Sequence, residues 1–116
     1  MRVLVAGAAG MLGRDVVDAA RRRGHDVTAL TRRELDITDP AAIDEALAAA
    51  RPEAVIDCAA WSDVDGAEGD ERGATTINDT GAGLLAAAAA RAGAAILYPS
   101  TDYVFDGTKD GPYLEE

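Results

Sequence analysis

Apolar runs of strand length alternate along the chain with stretches of helix length, the pattern of βα units whose strands lie parallel in one sheet. Arg2 to Ala6 reads as the first strand, a continuous apolar run stopped by Gly7. Leu12, Val16, Val17 and Ala20 then recur at helical spacing and predict a helix from about Met11 to Arg23, with Gly24 as its stop. Val27 to Leu30 is the second strand, and Glu34 to Ile37 a short third one. Asp39 is placed to cap the next helix, with Pro40 at its first position and an end near Arg51-Pro52. Ala54 to Asp57 is a further strand, and the acidic stretch from Ser62 to about Glu71, with Gly66 and Gly69, reads as a surface loop. A long helix is expected from about Arg72 to Ala92. Gly73, Gly81 and Gly83 each weaken it by roughly 1 kcal/mol, which leaves room for a break near Asn78 to Gly81. Ala95 to Tyr98 is the last strand, followed by a loop from Ser100 to Glu116. The whole predicts an α/β fold with a doubly wound parallel sheet of about five strands in the order 3-2-1-4-5.

With 116 residues and 48% apolar content there is material for one core, so residues 1–116 are expected to form a single domain. The aromatics are one Trp, three Tyr and one Phe, so small aliphatic side chains must do the packing, as suits helices laid on a buried parallel sheet. The formal charge of -10 disfavours nucleic acid and anionic membrane surfaces, which attract basic stripes. A lone cysteine, Cys58, cannot form an internal disulfide, and glycines interrupt the apolar start before a leader core is completed; a cytoplasmic location is expected. No run approaches the roughly 18 apolar residues of a membrane span.

Candidate chemistry concentrates in three places. Gly7-Ala8-Ala9-Gly10-Met11-Leu12-Gly13 lies between the first strand and the first helix. There Gly7 allows a tight turn, Gly10 lets backbone approach a pyrophosphate, and Gly13 lets helix and sheet pack closely. The anion would sit on free N–H groups at the helix start; the plain alternative is a turn before a tightly packed helix. This is the context of a Rossmann-type dinucleotide site. At the end of the second strand stands Thr31-Arg32-Arg33, where a carboxylate would select NAD. Arg32, with Arg33 beside it, can pair with a 2′-phosphate and favours NADP(H), NAD(H) being the other candidate. Two solvated charges on an exposed turn are the competing reading. Asp36 could accept from an adenine amino group and Ile37 pack on its face. The acidic loop containing Asp63, Asp65 and Glu68 matches no calcium-loop spacing, so no metal is expected.

Taken with Leu35-Asp36-Ile37-Thr38-Asp39, with Asp57-Cys58-Ala59-Ala60-Trp61-Ser62-Asp63-Val64-Asp65-Gly66-Ala67-Glu68 and with Ser100-Thr101-Asp102-Tyr103-Val104-Phe105-Asp106-Gly107, the glycine loop resembles the dTDP-4-dehydrorhamnose reductase family. The resemblance extends over essentially the whole chain. It implies an extended short-chain dehydrogenase fold and reduction of the 4-keto group of a nucleotide sugar with NADPH or NADH, in dTDP-L-rhamnose biosynthesis. It places Met11, Leu12 and Gly13 at the pyrophosphate, Asp36 and Ile37 at the adenine, and Ala59, Ala60 and Trp61 along the cofactor. The two alanines are equally consistent with ordinary close packing. Thr101 is the catalytic candidate, its hydroxyl polarising the substrate carbonyl, and Asp102 would contact the sugar. A hydroxyl-and-Asx turn at a strand end is the simpler account of Ser100-Thr101-Asp102.

The resemblance also implies a tyrosine with a lysine four residues on, to deliver the proton. Tyr98 is followed at that spacing by Asp102 and Tyr103 by Gly107, and the only lysine is Lys109. The pair is missing, which reads as a truncated gene product lacking the C-terminal substrate region. Two functions stay open: the N-terminal portion of a sugar-nucleotide reductase, or a non-catalytic NADP-binding regulatory module of the same fold. The partners expected are a dinucleotide and a nucleotide sugar. The uncovered sheet edge predicts self-association into a homo-oligomer.

Overall fold

The computed structural model describes residues 1–114. Strands β1 (Arg2–Ala6), β2 (Asp26–Leu30), β3 (Ala54–Asp57) and β4 (Ala95–Leu97) pair in parallel in the order β2-β1-β3-β4. Ala6 stands opposite Leu30 on one side and Asp57 on the other, so the carboxyl ends of β1, β2 and β3 are level. Crossover helices cover both faces. On one face Val3 and Val5 of β1 pack with Val17 of α1 (Met11–Arg22). On the other, Leu4 and Ala6 meet Ile43 and Leu47 of α2 (Pro40–Ala50) and Leu85, Ala88 and Ala89 of α5 (Ala82–Arg91). Burial on both faces is why β1 is apolar without alternation. Each fully buried Leu or Val contributes roughly 1.5–3 kcal/mol.

Local chemistry sets the helix boundaries. Gly24 takes φ 78° just past α1, as its place after the helix predicts. Asp39 caps α2 by accepting from Ala41 N at 2.9 Å and Ala42 N at 3.3 Å, with Pro40 at the first position.

Three expectations are corrected. Glu34 to Ile37 is not a strand, so the sheet has four strands among the described residues and lacks the predicted edge member. The Glu34 carboxylate turns back to accept from Thr31 N and Oγ1, both at 2.8 Å, and Leu35 N donates to Thr31 O at 2.9 Å. Asp36 Oδ1 accepts from Thr38 N and Oγ1. These local bonds consume the groups a ladder would need, while Leu35 and Ile37 still insert into the core. The acidic stretch is also not a loop: α3 (Val64–Gly69) and α4 (Glu71–Thr75) form there, capped by Asp63 and Asp70, which accept from Gly66 N and Gly73 N. Lastly, the long helix does not break near Asn78 to Gly81. It widens into a π-helical segment, Thr76–Gly81, before continuing as α5. Gly81 packs on Ile37, whose Cγ1 lies 2.9 Å from where a Cβ would stand, so a side chain there would displace the Ile37 anchor.

β4 stands at the sheet edge with all three residues exposed. No helix among the described residues is long and apolar enough to cross a membrane.

Candidate functional site

The level carboxyl ends of β1, β2 and β3 open into a cleft of about 200 Å³. Its floor is the glycine turn. Gly7 has φ 72°, and a Cβ on it would lie 2.6 Å from Ala59 N and from Cys58 C, so the turn is pressed against the backbone leaving β3. A Cβ on Gly13 would collide with Gly7 O and lie 2.9 Å from Ala8 Cα. Both glycines are therefore demanded by the protein itself. Gly10 is different: its backbone is extended (φ -68°, ψ 169°), and an added Cβ would meet only Gly7 O, at 3.3 Å. The chain comes close to accepting alanine at Gly10, so the bare Cα there suits a group arriving from outside.

That group would meet the start of α1. No side chain caps this end, and Arg14 N–H is the first in the helix to find a backbone acceptor, Gly10 O at 3.1 Å. The N–H groups of Met11, Leu12 and Gly13 remain for an external acceptor, and the helix dipole makes an anion the preferred one. Met11 itself is 89% exposed. A diphosphate therefore fits the donor set and the space over Gly10.

Of the residues singled out from the sequence, Gly7, Gly10, Arg32, Asp36, Ile37, Ala59 and Ala60 line the cleft. Arg32 stands on the β2 side and the two alanines on the β3 side, with β1 between them. Met11, Leu12 and Gly13 contribute the helix start but not the cleft wall. Asp36 keeps Oδ1 engaged with Thr38, and these hydrogen bonds, more than the neighbouring Arg32 charge, hold its carboxyl below the usual carboxylate range. Ile37 is almost wholly buried and supports the wall more than it lines it.

Trp61 lies outside the cleft wall. Its indole Nε1 donates to Asp63 O at 3.1 Å, and its backbone is engaged by Asn78. Thr101 and Asp102 are exposed and away from the cleft lining. Thr101 Oγ1 accepts from Tyr103 N and donates to Asp102 Oδ1, both at 3.3 Å, and starts a single 3-10 turn, Asp102–Val104. That is the strand-end turn offered as the simpler account of this motif.

Sequence reasoning passed over Ala9, Leu35, Cys58 and Ile77, which also line the cleft. Leu35 alternates with Ile37, a signal that could have marked both as buried, whereas Ile77 carries no motif and arrives through the π-helical segment. Asp57, at the end of β3, is 1% exposed. Its Oδ1 accepts from Ala59 N at 2.9 Å while Oδ2 has no partner among the described residues. Burial pushes its carboxyl above the ordinary value, against the opposing pull of the Ala59 N–H. Burial, with the Asp57 charge second, raises the Cys58 thiol, which argues against a reactive thiolate. Among the described residues no three His, Cys, Asp or Glu side chains gather as a metal site.

A parallel sheet wound on both faces, with a glycine turn and a bare helix start at its carboxyl end, defines the Rossmann-type class of nucleotide-binding folds. Within it, the model of the RmlD substrate binding domain family matches residues 1–116, and the chain belongs to that family. The chain is 50% identical over 115 residues to a dTDP-4-dehydrorhamnose reductase of Streptomyces griseus, covering 99% of this chain and 38% of that protein. It is 45% identical to a dTDP-4-keto-6-deoxy-D-glucose reductase of Streptomyces niveus, covering 98% of this chain and 40% of the relative. Among solved structures, a dTDP-4-dehydrorhamnose reductase of Bacillus anthracis in complex with NADP superposes with a TM-score of 0.88 at 36% identity, over 93% of this chain and 39% of the other. The Clostridium acetobutylicum ortholog gives 0.92 at 39% identity, over 99% and 41%. The chain thus spans about 40% of the length of these relatives.

Proposed function

We propose that residues 1–116 form the dinucleotide-binding domain of a reductase that reduces the 4-keto group of a dTDP-linked deoxysugar, with NADPH as the hydride donor. The observation that carries the reading is the glycine at position 10, where an added Cβ would meet a single protein atom, Gly7 O at 3.3 Å, set beside unsatisfied N–H groups at the start of α1. Gly10 and the N–H groups of Met11, Leu12 and Gly13 would receive the diphosphate. Arg32 would pair with the 2′-phosphate, and Asp36 would accept from the adenine amino group through Oδ2. The remainder of the cofactor would cross β1 toward Ala59 and Ala60, where small side chains leave room. Bound there, the reduced nicotinamide supplies a hydride to the sugar carbonyl. Thr101 would donate to that carbonyl once its hydroxyl is released from the local turn, and Asp102 would hold the sugar. The exposed β4 edge, continued by Tyr98, supports self-association.

Calorimetric titration of the chain with NADPH and NADH, beside an Arg32→Ala variant, tests this. NADPH should bind the tighter, and the variant should lose about tenfold in NADPH affinity while NADH is unaffected, the scale of one charge-assisted phosphate contact. Equal affinity for the two cofactors would remove the NADP assignment, and no binding of either would remove the reading altogether.

A further inference from the structure

Arg32 reaches the cleft from a turn that carries its own fastening. Thr31 O accepts from Glu34 N and from Leu35 N, both at 2.9 Å, which leaves Arg32 and Arg33 at the two central positions. The Glu34 side chain closes the same turn a second time: a single oxygen, Oε2, accepts from Thr31 N and from Thr31 Oγ1, both at 2.8 Å. Thr-x-x-Glu is the capping-box pattern of a helix start, formed here with no helix behind it. These bonds, the one from the Thr31 backbone foremost, hold the Glu34 carboxyl below the usual carboxylate range, so it is ionised and accepting at neutral pH.

The two ends of the turn are fixed by other means. Leu30 O, just before it, accepts from Ala8 N of the glycine turn at 3.0 Å, and Leu35, just after it, is buried in the core. Arg32, Arg33 and Glu34 between them are exposed, so the bonds to Thr31 define the path of this stretch of backbone. Arg32 lines the cleft, whereas Glu34 lines a separate groove with Thr28, Leu30, Ala42 and Ala46. In this fold a carboxylate following the second strand ordinarily receives the ribose hydroxyls of NAD. The Glu34 carboxylate is turned onto Thr31 instead and stands outside the cleft wall.

We propose that Glu34 is a positioning residue for cofactor choice: its bracket on Thr31 holds the turn in the conformation that presents Arg32 to a 2′-phosphate. This rests on the dinucleotide reading above. Glu34 acts only through Arg32 and does not touch the cofactor. A turn fixed in advance saves the entropy of ordering it when the phosphate arrives.

The test titrates NADPH and NADH against the unaltered chain, Glu34→Ala, Glu34→Gln, Arg32→Ala and the double variant Arg32→Ala/Glu34→Ala. Glu34→Ala should bind NADPH about fivefold more weakly and NADH within about twofold of the unaltered chain, as the loss of two bonds restraining one phosphate contact implies. Both bonds end on one oxygen, so a Gln amide oxygen can accept them, and Glu34→Gln should stay within about twofold for both cofactors. In the Arg32→Ala background, Glu34→Ala should cost less than about twofold more, because the group it positions is gone. Trypsin reads the turn without any nucleotide. Cleavage after Arg32 and Arg33, followed by mass spectrometry, should quicken severalfold in Glu34→Ala and return to the unaltered rate in Glu34→Gln, while cleavage after Arg22 and Arg23 at the end of α1 keeps its rate. Equal losses for the two cofactors, additive losses in the double variant or faster cleavage at every site would mean general loosening and overturn the proposal. So would an unchanged NADPH affinity in Glu34→Ala, or a Gln variant as weak as the Ala one. If the unaltered chain binds neither cofactor, or both equally, the reading beneath fails and this role fails with it. If it prefers NADPH and the variants do not separate as stated, only the role of Glu34 is lost.

Discussion

Replacing Gly10 and Gly13 in turn by alanine separates what the fold requires from what a ligand requires. At Gly13 a methyl group would be driven into Gly7 O and Ala8 Cα, backbone atoms that cannot swing away. Overpacking of this kind costs typically 1–3 kcal/mol, and the better helix propensity of alanine returns roughly 1 kcal/mol at most. Gly13→Ala should therefore lose about 1–2 kcal/mol net, a fall of roughly 4–12 °C in Tm for a domain of this size. At Gly10 the backbone conformation is open to alanine and the nearest atom to the new methyl is 3.3 Å away. A poorer N-cap is offset by the reduced freedom of the unfolded chain, each on the order of 0.5 kcal/mol, so Tm should move by only a few degrees. The methyl would nevertheless stand where a diphosphate approaches the helix start, and NADPH affinity should fall by more than about tenfold. Thermal melts followed through Trp61, with calorimetric titration of NADPH, measure both quantities on the same samples. If Gly10→Ala retains full affinity, or loses as much stability as Gly13→Ala, the assignment of Gly10 to a ligand is wrong.

Asp57 gives a pH signature of opposite sign to that of an ion-paired carboxylate. Its pKa is raised in the folded chain, so from the raised value down to the ordinary carboxylate value the folded state holds a proton that the unfolded state has released. Its penalty is thus complete above the raised value and disappears as pH falls to the ordinary one. Subtracting the pH–stability curve of Asp57→Asn from that of the unaltered chain should show this relief on acidification; parallel curves would mean the carboxylate has found a partner. Asp39→Ala removes the bonds to Ala41 N and Ala42 N and should cost about 1 kcal/mol in urea unfolding, with little effect on nucleotide titration. Leu97→Lys places a charge on the β4 edge, exposed among the described residues, and should reduce the proposed self-association in sedimentation velocity; an unchanged distribution would remove that proposal.

Much of the site was already written in local order. The Gly7, Gly10 and Gly13 spacing specifies a turn and helix start wherever it follows a buried strand, because backbone sterics act over a few residues. The Asp39-Pro40 cap and the stop at Gly24 are local for the same reason. Leu35 and Ile37 read as part of a strand because they alternate, but the Glu34 and Asp36 side chains spend the backbone donors first and the pair is buried without a ladder. The acidic stretch misled in the opposite direction, since Asp63 and Asp70 act as caps and not merely as solvated charges.

Ile77 in the cleft wall, and the contacts of Asn78 and Tyr98 behind it, became visible only in the folded chain. Asn78 meets Trp61 across 17 positions of sequence, and Tyr98 reaches Asn78 across 20. No periodicity encodes such pairs, because their geometry depends on how α5 lies against the sheet. Residue order by itself specified the parallel sheet, the glycine turn and the helix start that faces its open end. Packing in three dimensions decided that the third apolar pair forms no strand, that the long helix widens instead of breaking, and that Asn78 engages the Trp61 backbone. Backbone sterics and caps are short-range forces that a linear text can carry, whereas side-chain partnership is settled only when distant segments share one core.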